Sequence, residues 1–149
     1  MAKTEKLSSS LEDYLEAIYL ISSEKGAARP KDVADHLGVA NSSTTAALHL
    51  LKKRELINHK PYDIITLTPS GKRIAIKIAR KHEVLTHFFT KVLAIDEKTS
   101  DECACKIEHT IPDKVLKRFI EYIDFKEKNP TTEWVEGVGF TYKTTGKQK

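Results

Sequence analysis

A mainly α-helical chain is predicted, with an N-terminal winged helix-turn-helix followed by a second helical domain. Three features of the sequence carry that prediction. Residues 30–54 spell helix, glycine-containing turn, helix; two short β-prone runs follow within 56–68; and from Pro69 onward apolar residues recur at helical spacing for most of the remaining chain.

Ser9-Ser10-Leu11-Glu12 has the capping-box form, a hydroxyl followed three residues later by a carboxylate, so a helix begins there. Leu15, Ile18, Tyr19 and Ile21 continue it until Gly26. Pro30 opens a short second helix ending at Gly38, where its missing N–H costs little. Asn41 or Ser42 then caps a third helix over 43–54, with Ala47, Leu48, Leu50 and Leu51 facing inward. The runs 56–59 and 64–68 flank Lys60-Pro61-Tyr62-Asp63, which has turn chemistry, and a hairpin directly after a recognition helix is a wing. Thr68-Pro69-Ser70-Gly71 starts a long helix running to about residue 94. A polar break is expected at 96–100, a helix over 101–110, and a last helix from Ile111-Pro112-Asp113 whose Val115, Leu116, Phe119, Ile120 and Ile123 form a stripe suited to a core or a dimer seam. These limits give three segments, 1–71, 72–125 and a tail 126–149. In the tail Trp134, Val138 and Phe140 dock loosely and the end is disordered.

The 149 residues, 40% hydrophobic, suffice for one compact domain or two small ones. No apolar run is long enough to span a bilayer and the start lacks a signal peptide's apolar segment, so a cytoplasmic location with no membrane partner is expected. Cys103 and Cys105 stand two apart and cannot face each other on a helix, so no disulfide framework is expected and the thiols stay reduced. The net charge of +4 matters through its placement. Lys52, Lys53, Arg54, Lys60, Lys72, Arg73, Lys77, Arg80 and Lys81 crowd 52–81 against only Glu55 and Asp63, whereas acids cluster later in the chain.

Two chemistries follow. The small polar residues Asn41, Ser42, Ser43, Thr44 and Thr45 open the recognition helix and suit phosphates, base edges and thymine methyls; Lys31, Lys52, Lys53 and Lys60 would hold the backbone of double-stranded DNA. Polar residues at a helix start are also ordinary capping material. In Cys105-Lys106-Ile107-Glu108-His109 a thiolate, a carboxylate and an imidazole stand at i, i+3 and i+4 on one helix face, half of a transition-metal site. Asp13 and Glu16, three apart on the first helix, and His82 would complete it, although each alone reads as a solvated face or a satisfied histidine.

Four ordered motifs, Leu11-Glu12-Asp13-Tyr14-Leu15-Glu16-Ala17-Ile18-Tyr19, Leu67-Thr68-Pro69-Ser70-Gly71, Arg80-Lys81-His82-Glu83 and Cys105-Lys106-Ile107-Glu108-His109, lie within residues 8 to about 125. Together they resemble the diphtheria toxin repressor and manganese transport regulator family of metal-dependent transcriptional repressors. The resemblance implies a winged helix-turn-helix, a helical dimerisation and metal-binding domain, and a homodimer that represses metal-uptake genes at a DNA operator when Fe²⁺ or Mn²⁺ binds, with no small-molecule substrate and no enzymatic activity. Asp13 and Glu16 look like the helix-one ligands of manganese-type members, and His82, Glu108 and His109 match ligands shared widely in the family. Cys105 is similar to the iron type, where manganese-type members have a carboxylate; the iron type in turn carries methionine at the place of Asp13. Thr86 and Asp101 replace two ligands of the iron type's ancillary site, leaving Glu83 and His87 as donors to a second ion.

Hard carboxylates suit Mn²⁺ and a thiolate favours Fe²⁺, Co²⁺ or Zn²⁺, so Fe²⁺ is the expected ion and Mn²⁺ the next, with Co²⁺, Ni²⁺ or Zn²⁺ as substitutes in vitro. Two other classes use the same residues: a small metal-dependent hydrolase, and a winged-helix regulator whose Cys105 senses oxidants.

Overall fold

The computed structural model describes residues 5–60 and 63–143, and the chain divides into two compact units, Met1–Arg80 and Lys81–Lys149. Pro61 and Tyr62, expected from sequence to lie in the turn of the wing, and the tail 144–149, expected to be disordered, lie outside the described residues.

The first unit begins with α1 (Ser9–Lys25), capped by Ser8, whose Oγ accepts from the backbone N–H of Leu11, one residue earlier than the capping box suggests. Gly26 ends it in the left-handed conformation, φ 80°, which glycine adopts without penalty. α2 (Pro30–Leu37) and α3 (Asn41–Lys53) follow. The cap of α3 is Ala40, with no side-chain cap, so Asn41 and Ser42 enter the helix instead of closing it. Leu15, Ile18, Val33, Leu48, Leu51, Ile57 and Ile65 pack these helices around one buried core.

β1 (Ile57–Asn58) pairs antiparallel with β2 (Thr66–Leu67), and the N–H of Ile65 donates to the Ala28 carbonyl at 2.9 Å, tying the wing's base to the α1–α2 connection. α4 (Pro69–His87) then starts beneath the wing. Thr68 Oγ1 accepts from the Gly71 N–H at 3.1 Å and donates to the Glu55 carbonyl at 2.8 Å.

The second unit begins within α4. The long helix does not run unbroken: Phe88–Val92 form a π-helical turn, and Phe88 stacks edge-on against Phe119, ring centres 4.5 Å apart. α5 (Glu97–Ile107) starts well before the expected position, because Asp96 caps it by accepting from Thr99 N at 2.9 Å; the supposed polar break is its first turn. α6 (Asp113–Lys128) packs on this assembly around Leu85, Ala104, Ile111 and Leu116. Beyond it, where no periodicity was expected, stands a hairpin of β3 (Thr132–Val135) and β4 (Gly139–Tyr142). Its four-residue strands are too short for a convincing alternation, and Gly137, φ 77°, makes the turn.

The Thr99 backbone N–H, then its hydroxyl, hold the Asp96 carboxyl below the usual carboxylate range. A depressed folded-state value means that the cap stabilises above the ordinary carboxylate value and loses this contribution as pH falls through the folded one. Asp96→Ala should therefore lower the melting temperature at neutral pH, and the gap from wild type should narrow in acid. Circular-dichroism melts across that range check both statements.

Candidate metal centre and nucleic-acid interface

Three of the expected ligands converge in the second unit. His82, half-buried in α4's last turns, places Nδ1 2.7 Å from Glu108 Oε2 and 3.8 Å from Cys105 Sγ. The donor atoms of His82, Cys105 and Glu108 all lie within 4.8 Å of one another. Cys105 and Glu108 sit one turn apart at the end of α5, where Glu108 takes the C-cap and keeps its helical bond to the Ala104 carbonyl. His109 falls in the following turn, not in the helix expected over 101–110, and its Nε2 approaches Glu108 Oε1 to 3.4 Å.

Glu108 is only 1% exposed, and its Oε1 has no hydrogen-bond partner; the His109 contact has the distance of an ion pair without the geometry of a hydrogen bond. A buried carboxylate oxygen left so costs roughly 1–3 kcal/mol or more. A divalent cation removes that cost, and the nitrogen, sulfur and oxygen donors fit a transition ion. Asp101, read from sequence only as the replacement of an ancillary-site ligand, places Oδ1 2.8 Å from His82 Nε2, a pairing that its position one turn before Cys105 signals. Both ring nitrogens thus face carboxylates, and the ring donates to both only when doubly protonated, so an ion held by His82 would take the place of a proton. Glu83 and His87 line a neighbouring cleft of about 720 Å³ with Thr86 and Asp101, where His87 Nε2 pairs instead with Glu127 Oε1 at 3.3 Å. Asp13 and Glu16 stand one turn apart on α1 in the first unit, both half-buried.

In the first unit Asn41, Ser42, Ser43 and Thr45 are exposed at the start of α3, and Lys31, Lys52, Lys53 and Lys60 are exposed around it. Thr44 is a correction: it is 1% exposed and its hydroxyl donates to the Ala40 carbonyl at 3.3 Å, so it packs the core and cannot touch DNA. Neither α2 nor α3 has a side-chain cap on its first-turn N–H groups. A cleft of about 630 Å³ lies between them and the wing. Arg29, Lys31, His49, Lys52 and His59 line it, against Asp63 alone, and His59 Nε2 is buried without a partner. Arg29, His49 and His59 were not singled out from sequence, because their convergence depends on how the wing folds back.

Comparison with known proteins supplies the context. The N-terminal DNA binding domain of iron dependent repressors matches residues 6–64, and the metal binding and dimerisation domain of the same proteins matches residues 68–133. The chain belongs to the iron dependent repressor family. This repressor is 39% identical over 126 residues to an HTH-type transcriptional regulator of Methanocaldococcus jannaschii, covering 82% of this chain and 99% of the relative. It is 34% identical to the HTH-type transcriptional regulator MntR of Bacillus pumilus, covering 80% and 83%. Among solved structures, IdeR of T. acidophilum superposes with a TM-score of 0.69 at 28% identity, covering 80% of this chain and 55% of that one. The manganese regulator SloR shares the fold, TM-score 0.69, at 24% identity over 77% of this chain and 54% of its own. The repressor spans about half the length of those two solved chains. The family consists of DNA-binding, metal-dependent transcriptional repressors, not enzymes, which sets aside the hydrolase alternative. No helix of the described residues is long and apolar enough to cross a membrane.

Proposed function

We propose that this repressor binds Fe²⁺, or Mn²⁺ as the next choice, through His82, Cys105, Glu108 and His109, and that ion binding raises its affinity as a homodimer for an operator controlling metal uptake. The observation carrying this reading is the buried, half-unpartnered carboxylate of Glu108 beside His82 and Cys105. Asp13 and Glu16 are assigned as further ligands on the match of the helix-one motif to manganese-type members, and a cytoplasmic location belongs to the same reading. The ion supplies a positive charge that organises the acidic and imidazole side chains. The protein groups do the rest: Asn41, Ser42, Ser43 and Thr45 read the groove, and Lys31, Lys52, Lys53 and Lys60 neutralise phosphates. Coupling between ion and DNA of roughly 1–3 kcal/mol changes occupancy about 5- to 150-fold, and it is reciprocal. Of the stripe read from sequence on α6, Leu116 and Ile123 are buried and Phe119 and Ile120 pack on the core, so the proposed dimer seam is Val115 with the exposed Tyr122 and Phe125 of the same helix.

An anaerobic anisotropy titration against the promoter upstream of its own gene, comparing Fe²⁺, Mn²⁺, Zn²⁺ and chelator, tests this; equal operator affinity in all four sinks it. Cys105→Glu, which replaces the soft donor by a hard one, should move the ratio of Fe²⁺ to Mn²⁺ activation towards Mn²⁺ by at least about tenfold, or ~1.4 kcal/mol. An unchanged ranking of the two ions would show that the sulfur does not set the preference.

A further inference from the structure

The family match ends at residue 133, inside β3, so most of the β3–β4 hairpin is additional to the dimerisation domain it adjoins. In its register Trp134 opposes Phe140, and Thr132 opposes Tyr142, so Trp134, Phe140 and Tyr142 share one face. Trp134 and Phe140 stack edge-on at 4.9 Å, yet the three aromatics remain 49%, 50% and 81% exposed. A two-stranded hairpin is marginal alone in water; Lys126 Nζ ties this one to α6 by donating to the Thr132 carbonyl at 3.1 Å, and its aromatic face gains further stability when another surface covers it.

We propose that the hairpin is a dimer clasp, its aromatic face covering the exposed α6 stripe of a second copy of this chain. The inference rests on the dimer reading above. The occupant follows from self-complementarity. The same chain exposes an aromatic hairpin face and, on the helix leading directly into it, Val115, Tyr122 and Phe125 at 42%, 47% and 61%. In a two-fold dimer each such contact occurs twice, so one matched pair of surfaces closes the assembly and leaves neither exposed. The matched metal binding and dimerisation domain carries α6, and the hairpin follows that helix after three residues.

Trp134 is the chain's single tryptophan and reports on the clasp in the unaltered protein. Sedimentation velocity and tryptophan emission are followed together over a dilution series of the full chain with Mn²⁺. The expected result is an emission shift to shorter wavelength that tracks dimer formation. Phe140→Ser with Tyr142→Ser should weaken dimerisation at least about tenfold, as loss of interface aromatics does. Tyr142→Ser alone, at the most exposed position, leaves the hairpin's stacked pair intact and should weaken it in the same direction. Tyr122→Ser with Phe125→Ser should abolish the emission shift. An emission unchanged through the dimer transition, or dimerisation unaltered in both hairpin variants, overturns the clasp while leaving the α6 seam standing. A wild-type chain that stays monomeric overturns both, and hairpin variants that lose only operator binding assign the face to DNA and overturn the clasp.

Discussion

Glu108→Gln should yield a folded chain whose melting temperature no longer rises on adding Fe²⁺ or Mn²⁺. Glutamine has the volume of glutamate and retains an acceptor for His82 Nδ1, now 2.7 Å from the carboxylate, so the core around Ala104 and Leu85 is undisturbed. What is lost is the negative charge on a side chain with one oxygen buried and without a hydrogen-bond partner. An ion at a hundred times its dissociation constant stabilises the folded state by about 2.7 kcal/mol. Loss of a group that merely orients a ligand costs about 10–100-fold in affinity, and loss of a ligand's charge costs at least as much, so most of that stabilisation disappears. Anaerobic melts of wild type and variant, with chelator and with each ion, decide the matter. An undiminished metal-induced rise in the variant would remove Glu108 from the site.

Gly71→Ala should destabilise the first unit although alanine is the better helix former. In an open helix the exchange is worth roughly 0.5–1 kcal/mol in favour of alanine. Here a Cβ would collide with the backbone carbonyl oxygen of Leu56, which already accepts the Thr68 N–H at 3.1 Å. Backbone has no rotamer by which to yield, so α4 must move away from the wing's base, and overpacking of this kind costs about 1–3 kcal/mol. The sign therefore reverses, and the melting temperature falls by about 4–8 °C for each kcal/mol lost in a unit of this size. A thermal melt showing Gly71→Ala equal to or above wild type would contradict the close approach.

The two variants bear on different parts of what could be read in advance. α1, α2, α3 and the wing were legible in residue order because each is governed by local chemistry, namely caps, helical spacing and turn residues. The Cys105 and Glu108 pair was legible for the same reason, since residues one turn apart on a helix must share a face. Gly71 was read as helix-start chemistry, and its tighter role against Leu56 is a contact fifteen positions away that no local pattern encodes. Thr44 looked like its neighbours in composition, and only the rotation of α3 against the core took it out of the DNA face. The start of α5 and the hairpin were misread because a single cap and two four-residue strands give too little periodicity to register.

The sequence by itself thus determined the order of elements from α1 to α6 and the class of protein, set by short-range rules and by motifs in matching order. Tertiary structure alone decided which donors meet. His82 lies 23 residues from Cys105 and 26 from Glu108, and packing of α4 against α5 over Leu85 and Ala104 brings its imidazole to both. The same packing buries the Glu108 side chain, and it is desolvation, which no sequence pattern expresses, that makes an unpartnered oxygen of a helix-end carboxylate costly.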